Sequence, residues 1–333
     1  MLRAGVDLGG TKIQVAIVDA DGQVVGQCRI PTPQDKGSSG VIDAMVEAVR
    51  TALQDAGPDA GDLAGVGVGS PGQIDHSKGT VSHAGNLPDW LGTVEVAAPM
   101  RTALGVPIEL ANDVQVGVMA ESQLGAGRPY DSMLGIFCGT GVGGGIVIRD
   151  ELWLGRGAAG EVGHMVVEPD GAPCPCGRHG CLEAYAGRAA MEIKARKLVK
   201  KGHKTDLFSI MEKKGRTRLS SGVWAKALEK EDRMAVGLID RAVWALGLAA
   251  ASAVNLLDVE AVVIGGGLGC RLGAPFADRI RTAMLPHLIM PEKVPQVLSA
   301  ALGDLGGAMG AALRVEHTHP PEGPLGVVSD PDA

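Results

Sequence analysis

Aromatic side chains are scarce. Three Phe, two Tyr and four Trp supply 3% of the chain, so its cores must be built from aliphatic and small residues. Basic charge is not in excess either: 31 Lys and Arg stand against 38 Asp and Glu, a net charge of -7. That balance gives no general attraction for nucleic-acid phosphates or anionic lipid, and neither nucleic acid nor membrane is an expected partner. No apolar stretch reaches the roughly 18 to 20 residues of a bilayer span. The longest, residues 242–257, is interrupted by Ser252 and Asn255 and reads as a buried helix. The amino-terminal MLRAGVDLGGTK lacks the apolar segment of a signal peptide, so a cytoplasmic location is expected. The phosphate-loop pattern G-x-x-x-x-G-K-[ST] does not occur. One G-x-G-x-x-G match begins at Gly139, but Ile146-Val147-Ile148 after it reads as strand, whereas the dinucleotide fingerprint opens a helix.

What is abundant is glycine. Fifty Gly in 333 residues is about twice the usual share, and the length suits two domains. Strands are expected at 3–7 and 13–18 around a Gly-Gly turn, with a polar turn at 19–22 and a third strand following. A helix over 41–56, a strand at 65–68 ending in Ser70-Pro71-Gly72, and a strand at 107–110 ending in Asn112-Asp113 continue an α/β alternation. The pattern then restarts, with strand 133–138, a glycine turn 139–145, its partner 146–149, and strand 259–264 entering Gly265-Gly266-Gly267. Such a duplication implies two similar lobes with sites at strand ends. Residues 194–233, rich in Lys, Arg and Glu with breakers at Gly202 and Gly215, read as a solvated helical face. The segment 317–333 has little to bury and reads as a loose tail.

Asp7-Leu8-Gly9-Gly10-Thr11-Lys12 follows a strand. Its glycines let a backbone approach a ligand, and Thr11 and Lys12 add a hydroxyl and a cation, which suits a polyphosphate. A plain hairpin turn would also need such glycines. The same two readings attend Gly139-Thr140-Gly141-Val142-Gly143-Gly144-Gly145.

His164, Cys174, Cys176 and Cys181 form H-x9-C-x-C-x4-C, one nitrogen and three thiolates, the donor set of a closed tetrahedral zinc site. A disulfide or redox pair is the alternative, though the C-x-x-C spacing of redox motifs is absent, and His179 is a competing ligand. Four protein ligands leave no position for an activated water, so the zinc is expected to be structural, leaving the second nitrogen of His164 as an oriented donor. Cys28, Cys138 and Cys270 are isolated and read as core residues. Asn112-Asp113, Glu161 and Glu183 place carboxylates and an amide next to the glycine turns or the cysteine loop, a set suited to binding the hydroxyls of a neutral polyol.

Taken in order, DLGGTK at Asp7, GSPG at Gly69, NLPDW at Asn86, ND at Asn112, CGTGVGGG at Cys138, GEVGH at Gly160, CPCGRHGCLEAY at Cys174 and VNLLDVEAVVIGGG at Val254 resemble the ROK family of sugar kinases and repressors, and within it the bacterial glucokinases. The resemblance spans nearly the whole chain. It implies an actin-like (ribonuclease H-like) α/β fold of two duplicated lobes with sugar bound in an interlobe cleft. The expected lobes are residues 1–117 with 302–316, and 118–301 carrying the zinc loop. Gly72, Asn86, Asn112, Asp113, Glu161, His164 and Glu183 match positions that contact sugar. Asp7, Gly9, Gly10, Thr11 and Lys12, with Gly139, Thr140, Gly141, Gly265, Gly266 and Gly267, match the phosphate and adenosine sites. Ala111 and Gln115 depart from the common pattern, which has Glu and Asn there.

The implied activity is transfer of the ATP γ-phosphoryl group to the 6-hydroxyl of an aldohexose, glucose first, with Asp113 as general base, Asp7 orienting Mg²⁺, and a homodimer or homotetramer as the assembly. Fructose, mannose, allose or N-acetylhexosamines are alternative acceptors, and polyphosphate an alternative donor. A sugar-sensing repressor would place a helix-turn-helix before the first strand, where only six residues precede Asp7, so the kinase reading is preferred.

Overall fold

The computed structural model describes residues 1–57, 61–85 and 87–316. The chain divides into two compact units, Met1–Asp113 with the chain from Gly307 onward, and Val114–Gly306. In the first unit β1 (Leu2–Leu8), β2 (Lys12–Val18) and β3 (Val24–Pro31) form an antiparallel meander. Then come α1 (Gly37–Ala56), β4 (Leu63–Ser70), a small antiparallel sheet of β5 (Gln73–Asp75), β6 (Thr80–Ser82) and β7 (Thr93–Glu95), α2 (Ala97–Leu104) and β8 (Ile108–Asn112). The main sheet has the order β3-β2-β1-β4-β8, with β4 parallel to β1 and β8 parallel to β4.

The helix α3 (Asp113–Gln123) carries the chain into the second unit. There β9 (Ser132–Cys138), β10 (Val142–Ile148) and β11 (Glu151–Leu152) repeat the meander. After them come α4 (Glu183–Ala186), α5 (Arg188–Lys200), α6 (Leu207–Lys213), α7 (Ser221–Glu229), α8 (Arg233–Leu257), β12 (Ala261–Gly265), α9 (Gly266–Met284) and β13 (Gln296–Ser299). The sheet order β11-β10-β9-β12-β13, with β12 parallel to β9 and β13 parallel to β12, has the strand directions of the first sheet. The duplication expected from the two glycine-turn hairpins is therefore present.

α10 (Gly306–Leu313) returns to the first unit and lies directly on the sheet. A β-carbon on Gly5 would sit 1.7 Å from the Ala308 carbonyl oxygen, and one on Gly67 1.7 Å from that of Ala311. Those two glycines let helix and sheet backbones touch. The second core centres on α8, whose Ile239, Ala242, Leu246, Ala249 and Ala253 are buried at the three-and-four spacing of one helical face. Asp232 caps it, accepting a bond from the Ala235 N–H at 2.8 Å. Among the described residues α8 alone has the length and hydropathy to cross a membrane, and most of that stretch is buried within the protein, as expected for residues 242–257.

Three expectations need correction. The run Gly143 to Gly145 is strand, because β10 already begins at Val142. Glycine is required there by crowding, since a β-carbon on Gly144 would lie 2.6 Å from Val162 Cγ2. Cys270 is exposed, while Cys138 is buried and Cys28 half-buried; Cys270 lies on the outward side of α9, whose Leu268 and Gly269 face inward. The charged segment 194–233 does expose its lysines, yet Ala195, Leu207, Ile210, Val223 and Trp224 within it belong to the second core. Its polar surface covers an apolar floor.

Candidate functional site

In the first unit the predicted residues collect at the carboxyl ends of adjacent parallel strands, where open α/β sheets place ligands. Asp7, the residue before the last of β1, lies opposite Gly69 of β4, and Asn112 ends β8 opposite Ser70. Asp113 is the first residue of α3, directly after the end of β8. Gly72 turns the chain after β4 with φ of +94°, and a β-carbon on it would meet the Ser82 carbonyl at 2.5 Å. Asp7 stands beside the start of α10, its carboxyl carbon 3.0 Å from where a β-carbon of Gly307 would be.

The turn from β1 to β2 is closed by Gly9 N–H donating to the Lys12 carbonyl at 2.9 Å. Its other carbonyls are held from one side. Thr32 Oγ1 donates to Gly9 O at 2.6 Å, Gln34 Nε2 to Gly10 O at 3.0 Å and Thr32 N–H to Thr11 O at 3.2 Å. In a planar trans peptide the N–H points opposite the preceding C=O, so the N–H groups of Gly10, Thr11 and Lys12 face away from Thr32 and Gln34. Successive N–H groups on one side of a turn are of the kind that can meet an anion. The Lys12 ammonium bonds Gln14 Oε1 at 3.0 Å. Asn86 lies outside the described residues.

In the second unit the other predicted residues converge on the turn between β9 and β10. Gly139 N–H donates to Gly141 O at 2.9 Å. Glu183, at the start of α4, accepts the Val142 N–H at 2.9 Å, and its Oε2 would be 2.1 Å from a β-carbon on Gly141. Glycine at 141 thus makes room for this carboxylate. Gly265 ends β12 beside Phe137, and Gly266 packs so closely on Cys138 that a β-carbon would lie 2.7 Å from the Cys138 N. Gly267 opens the first turn of α9 next to Ser221. Exposed Glu161 precedes a single 3-10 turn, Val162–His164, and its carbonyl accepts the His164 N–H at 3.0 Å. This turn rests on the start of β10, where Gly163 is pressed against the Val142 carbonyl.

The ligand atoms of His164, Cys174, Cys176 and Cys181 all lie within 4.8 Å of one another, so these four could hold a metal ion. His164 turns Nδ1 toward Cys174 Sγ at 3.8 Å, and the sulfurs of Cys176 and Cys181 are 3.7 Å apart. The cysteine loop folds back on itself through bridges between Val166 and Cys181 and between Pro173 and His179. Burial pushes the Cys174 thiol up to about 12 and raises that of Cys181. The Arg178 side chain beside exposed Cys176 brings its thiol down to about 6, which favours a thiolate ligand. His179 is not part of the cluster.

Several residues of this region carry no motif and escape sequence reasoning. Thr32 and Gln34 hold the first turn. Arg188, the first residue of α5, donates from Nε to Gly139 O at 3.0 Å and from Nη2 to Thr140 Oγ1 at 3.4 Å. Its position directly after Gly187 in the stretch LEAYAGR was the available signal. Glu168, Tyr185 and Arg241 brace the cysteine loop against α8. Tyr185 donates to Glu168 Oε2 and accepts the Ala172 N–H at 2.8 Å, and Arg241 donates to Glu168 Oε1 at 2.6 Å. The Arg241 guanidinium lies 3.9 Å from the Trp244 ring centre, an attractive cation–π distance. The Tyr185 hydroxyl, then Arg241, lowers the Glu168 pKa.

The ROK family model matches residues 3–318. A glucokinase of Thermotoga maritima is 35% identical, over 92% of this chain and 95% of that protein. An N-acetyl-D-glucosamine kinase of Escherichia coli is 28% identical, over 92% of this chain and 97% of that one. The crystal structure of a ROK family glucokinase from Streptomyces griseus, in complex with glucose and AMPPNP, superposes with a TM-score of 0.78 at 32% identity, covering 94% of this chain and 99% of that one. The duplicated sheets are accordingly those of the actin-like α/β fold. With its ordered motifs, its sheet order and these relatives in agreement, the chain belongs to the ROK family.

Proposed function

We propose that the protein is a sugar kinase that transfers the γ-phosphoryl group of ATP to the 6-hydroxyl of an aldohexose, with D-glucose the first candidate. The observation that carries the reading is the position of Glu183. Its carboxylate is of the kind that binds paired hydroxyls, yet it accepts the N–H at the foot of the Gly139–Gly141 turn, so a polyol subsite and a phosphate turn adjoin. The glucokinase relatives and the glucose and AMPPNP complex support the same acceptor and donor.

In this mechanism Gly72, Asn86, Asn112, Asp113, Glu161, His164 and Glu183, which match the family's sugar-contacting positions, are the sugar-binding residues. Asp113 accepts the proton of the attacking hydroxyl, a step worth on the order of 10²- to 10⁴-fold. Most of the acceleration comes from alignment and from backbone N–H groups facing the phosphates at both glycine turns. Mg²⁺ suits the hard oxygen donors of Asp7 and, when bound, would neutralise charge on the phosphates. Zinc suits the cysteine cluster. Tetrahedral Zn–S bonds of ~2.3 Å set neighbouring sulfurs about 3.8 Å apart, close to the 3.7 Å between Cys176 and Cys181, whereas a disulfide requires about 2.05 Å. His164, whose Nδ1 faces Cys174 Sγ, would hold the metal through that nitrogen, which would leave its Nε2–H as an oriented donor for the sugar. A cytoplasmic setting keeps these thiols reduced, and a homodimer or homotetramer is the expected assembly.

The test is a coupled assay over a panel of hexoses and N-acetylhexosamines with ATP and with polyphosphate, run on the wild type and Asp113→Asn. Turnover with glucose and ATP that falls by about 10² or more in Asp113→Asn, with sugar affinity kept, is expected. A preference for an N-acetylhexosamine, as the name of the Escherichia coli relative suggests, would redirect the substrate while leaving the chemistry in place. No transfer to any sugar would overturn the proposal.

A further inference from the structure

The turn between β9 and β10 is closed by the Gly139 N–H to Gly141 O bond, and its carbonyls at Gly139 and Thr140 are held from outside the hairpin. β11 is only two residues long and pairs with Val147 and Ile148, at the far end of β10, so the outer strand of this meander gives the turn no support. α5 takes that place. The Arg188 N–H donates to Gly139 O at 3.3 Å and the Ala189 N–H to Thr140 O at 3.0 Å, which gives two otherwise unpaired N–H groups of the helix's first turn their acceptors. The Arg188 side chain reinforces the same contact through Nε to Gly139 O, 3.0 Å, and Nη2 to Thr140 Oγ1, 3.4 Å. All these bonds pull one face of the turn toward α5. Because each trans peptide sets N–H opposite C=O, fixing the Gly139 and Thr140 carbonyls aims the Thr140 and Gly141 N–H groups the other way. Among the described residues, neither of those two N–H groups has a protein acceptor.

We propose that Arg188 is a positioning residue for the phosphoryl donor: it holds the Gly139–Gly141 turn against α5 so that the Thr140 and Gly141 N–H groups receive phosphate oxygens. The inference rests on the kinase reading for the nature of its ligand. Its chemistry favours a structural use of the guanidinium over an ion pair within the protein. Nearby Glu192 is already engaged by Arg196 at 2.6 Å and by the Leu219 N–H at 2.9 Å, and Arg188 forms no ion pair among the described residues. Burial, and then the neighbouring charge of Arg218, lower the pKa of Arg188, with Glu192 opposing. The role is exercised through the backbone of the turn, so what matters is a donor at the Nε position.

Glutamine supplies such a donor without the charge, because its Nε2 stands the same number of bonds from the backbone as Arg Nε. Titration calorimetry with AMPPNP and Mg²⁺, on the full chain, would compare wild type, Arg188→Ala and Arg188→Gln, with KM for ATP and for the hexose read alongside. Arg188→Ala should weaken AMPPNP about tenfold or more, the worth of a hydrogen bond to a charged group, with hexose KM changed by less than about twofold. Arg188→Gln should recover affinity to within about threefold of wild type. Where Arg188→Ala does not fold, Arg188→Met fills the space without a donor and takes its place. Unchanged AMPPNP affinity in the donorless variant, equal losses for nucleotide and hexose, or a Gln variant as weak as Ala would each overturn the proposal. A wild type that binds AMPPNP but transfers to no sugar overturns the kinase reading alone, since the affinities still decide the role of Arg188; a wild type that binds no AMPPNP overturns both.

Discussion

The two glycine turns sit at equivalent corners of equivalent sheets, yet different parts of the chain hold them. In the first unit the third strand of the meander is eight residues long and runs on to Thr32 and Gln34, which clasp the carbonyls of Gly9, Gly10 and Thr11. In the second unit the third strand has two residues, and an insertion carrying the cysteine loop, α4 and α5 supplies Glu183 and Arg188 instead. A turn's backbone direction can thus be conserved through duplication while its supports are replaced. The replacement ties the second turn to the cysteine loop and to a carboxylate suited to sugar. The first turn is held by Thr32 and Gln34 of its own meander.

The largest effect should come from cutting that tie. Cys176→Ser removes one ligand of the metal cluster, and we expect loss of bound zinc, measured by atomic absorption, together with a rise of at least about tenfold in hexose KM, the size of effect that altered metal surroundings produce. Full zinc content with wild-type KM would break the comparison. Next comes a matched pair of alanines. Gly141→Ala drives a methyl into Glu183 Oε2, whose flexible carboxylate must swing off the Val142 N–H, so hexose KM should rise about tenfold while the melting temperature moves little. Gly9→Ala meets only the Lys12 carbonyl, at 3.2 Å, and should leave hexose KM within about twofold. Similar responses from the two turns would contradict their different support.

A smaller effect is expected from Thr32→Val, which removes one of the three carbonyl clasps of the first turn. A neutral hydrogen bond contributes about 1 kcal/mol net, so nucleotide affinity measured by calorimetry should drop roughly fivefold. The smallest concerns the brace on the cysteine loop. Glu168 has a folded-state pKa lowered by Tyr185 and Arg241, so its stabilising contribution is present above the unfolded carboxylate value of about 4.3 and fades as pH falls below it. Thermal melts of wild type and Glu168→Gln should therefore differ near pH 7 and converge toward pH 3. A gap that stays constant over that range would remove the ionised carboxylate from the account.

Local patterning made much of this legible. The hairpins around Gly9 and Gly139, their duplication and the α/β alternation follow from strand periodicity and turn chemistry, and the metal cluster follows from donor type and spacing. What was hidden depends on contacts distant in sequence. The stretch Gly143 to Gly145 reads as turn because crowding from Val162, far along the chain, cannot be seen from the residues themselves. The strands at 3–7 and 65–68 are legible, but why they carry Gly5 and Gly67 is not, until a helix from residues 306–313 is laid on them. Arg188 looks like one more charge on a basic helix. Its significance arises only when Gly187 brings that helix end to a turn almost fifty positions earlier.

The seating of α10 on Gly5 and Gly67 also orders events at the ribosome. The second unit is one uninterrupted segment, 114–306, and every strand of its sheet has been synthesised before α10 emerges. The first sheet is translated earliest, yet the helix that covers its two glycines comes last, so a bare, closely approachable face must wait through nearly two hundred residues of elongation. Domains fold as units during synthesis. The later-made half is therefore free to mature first, and the opening strands are the part of the nascent chain with most need of a chaperone.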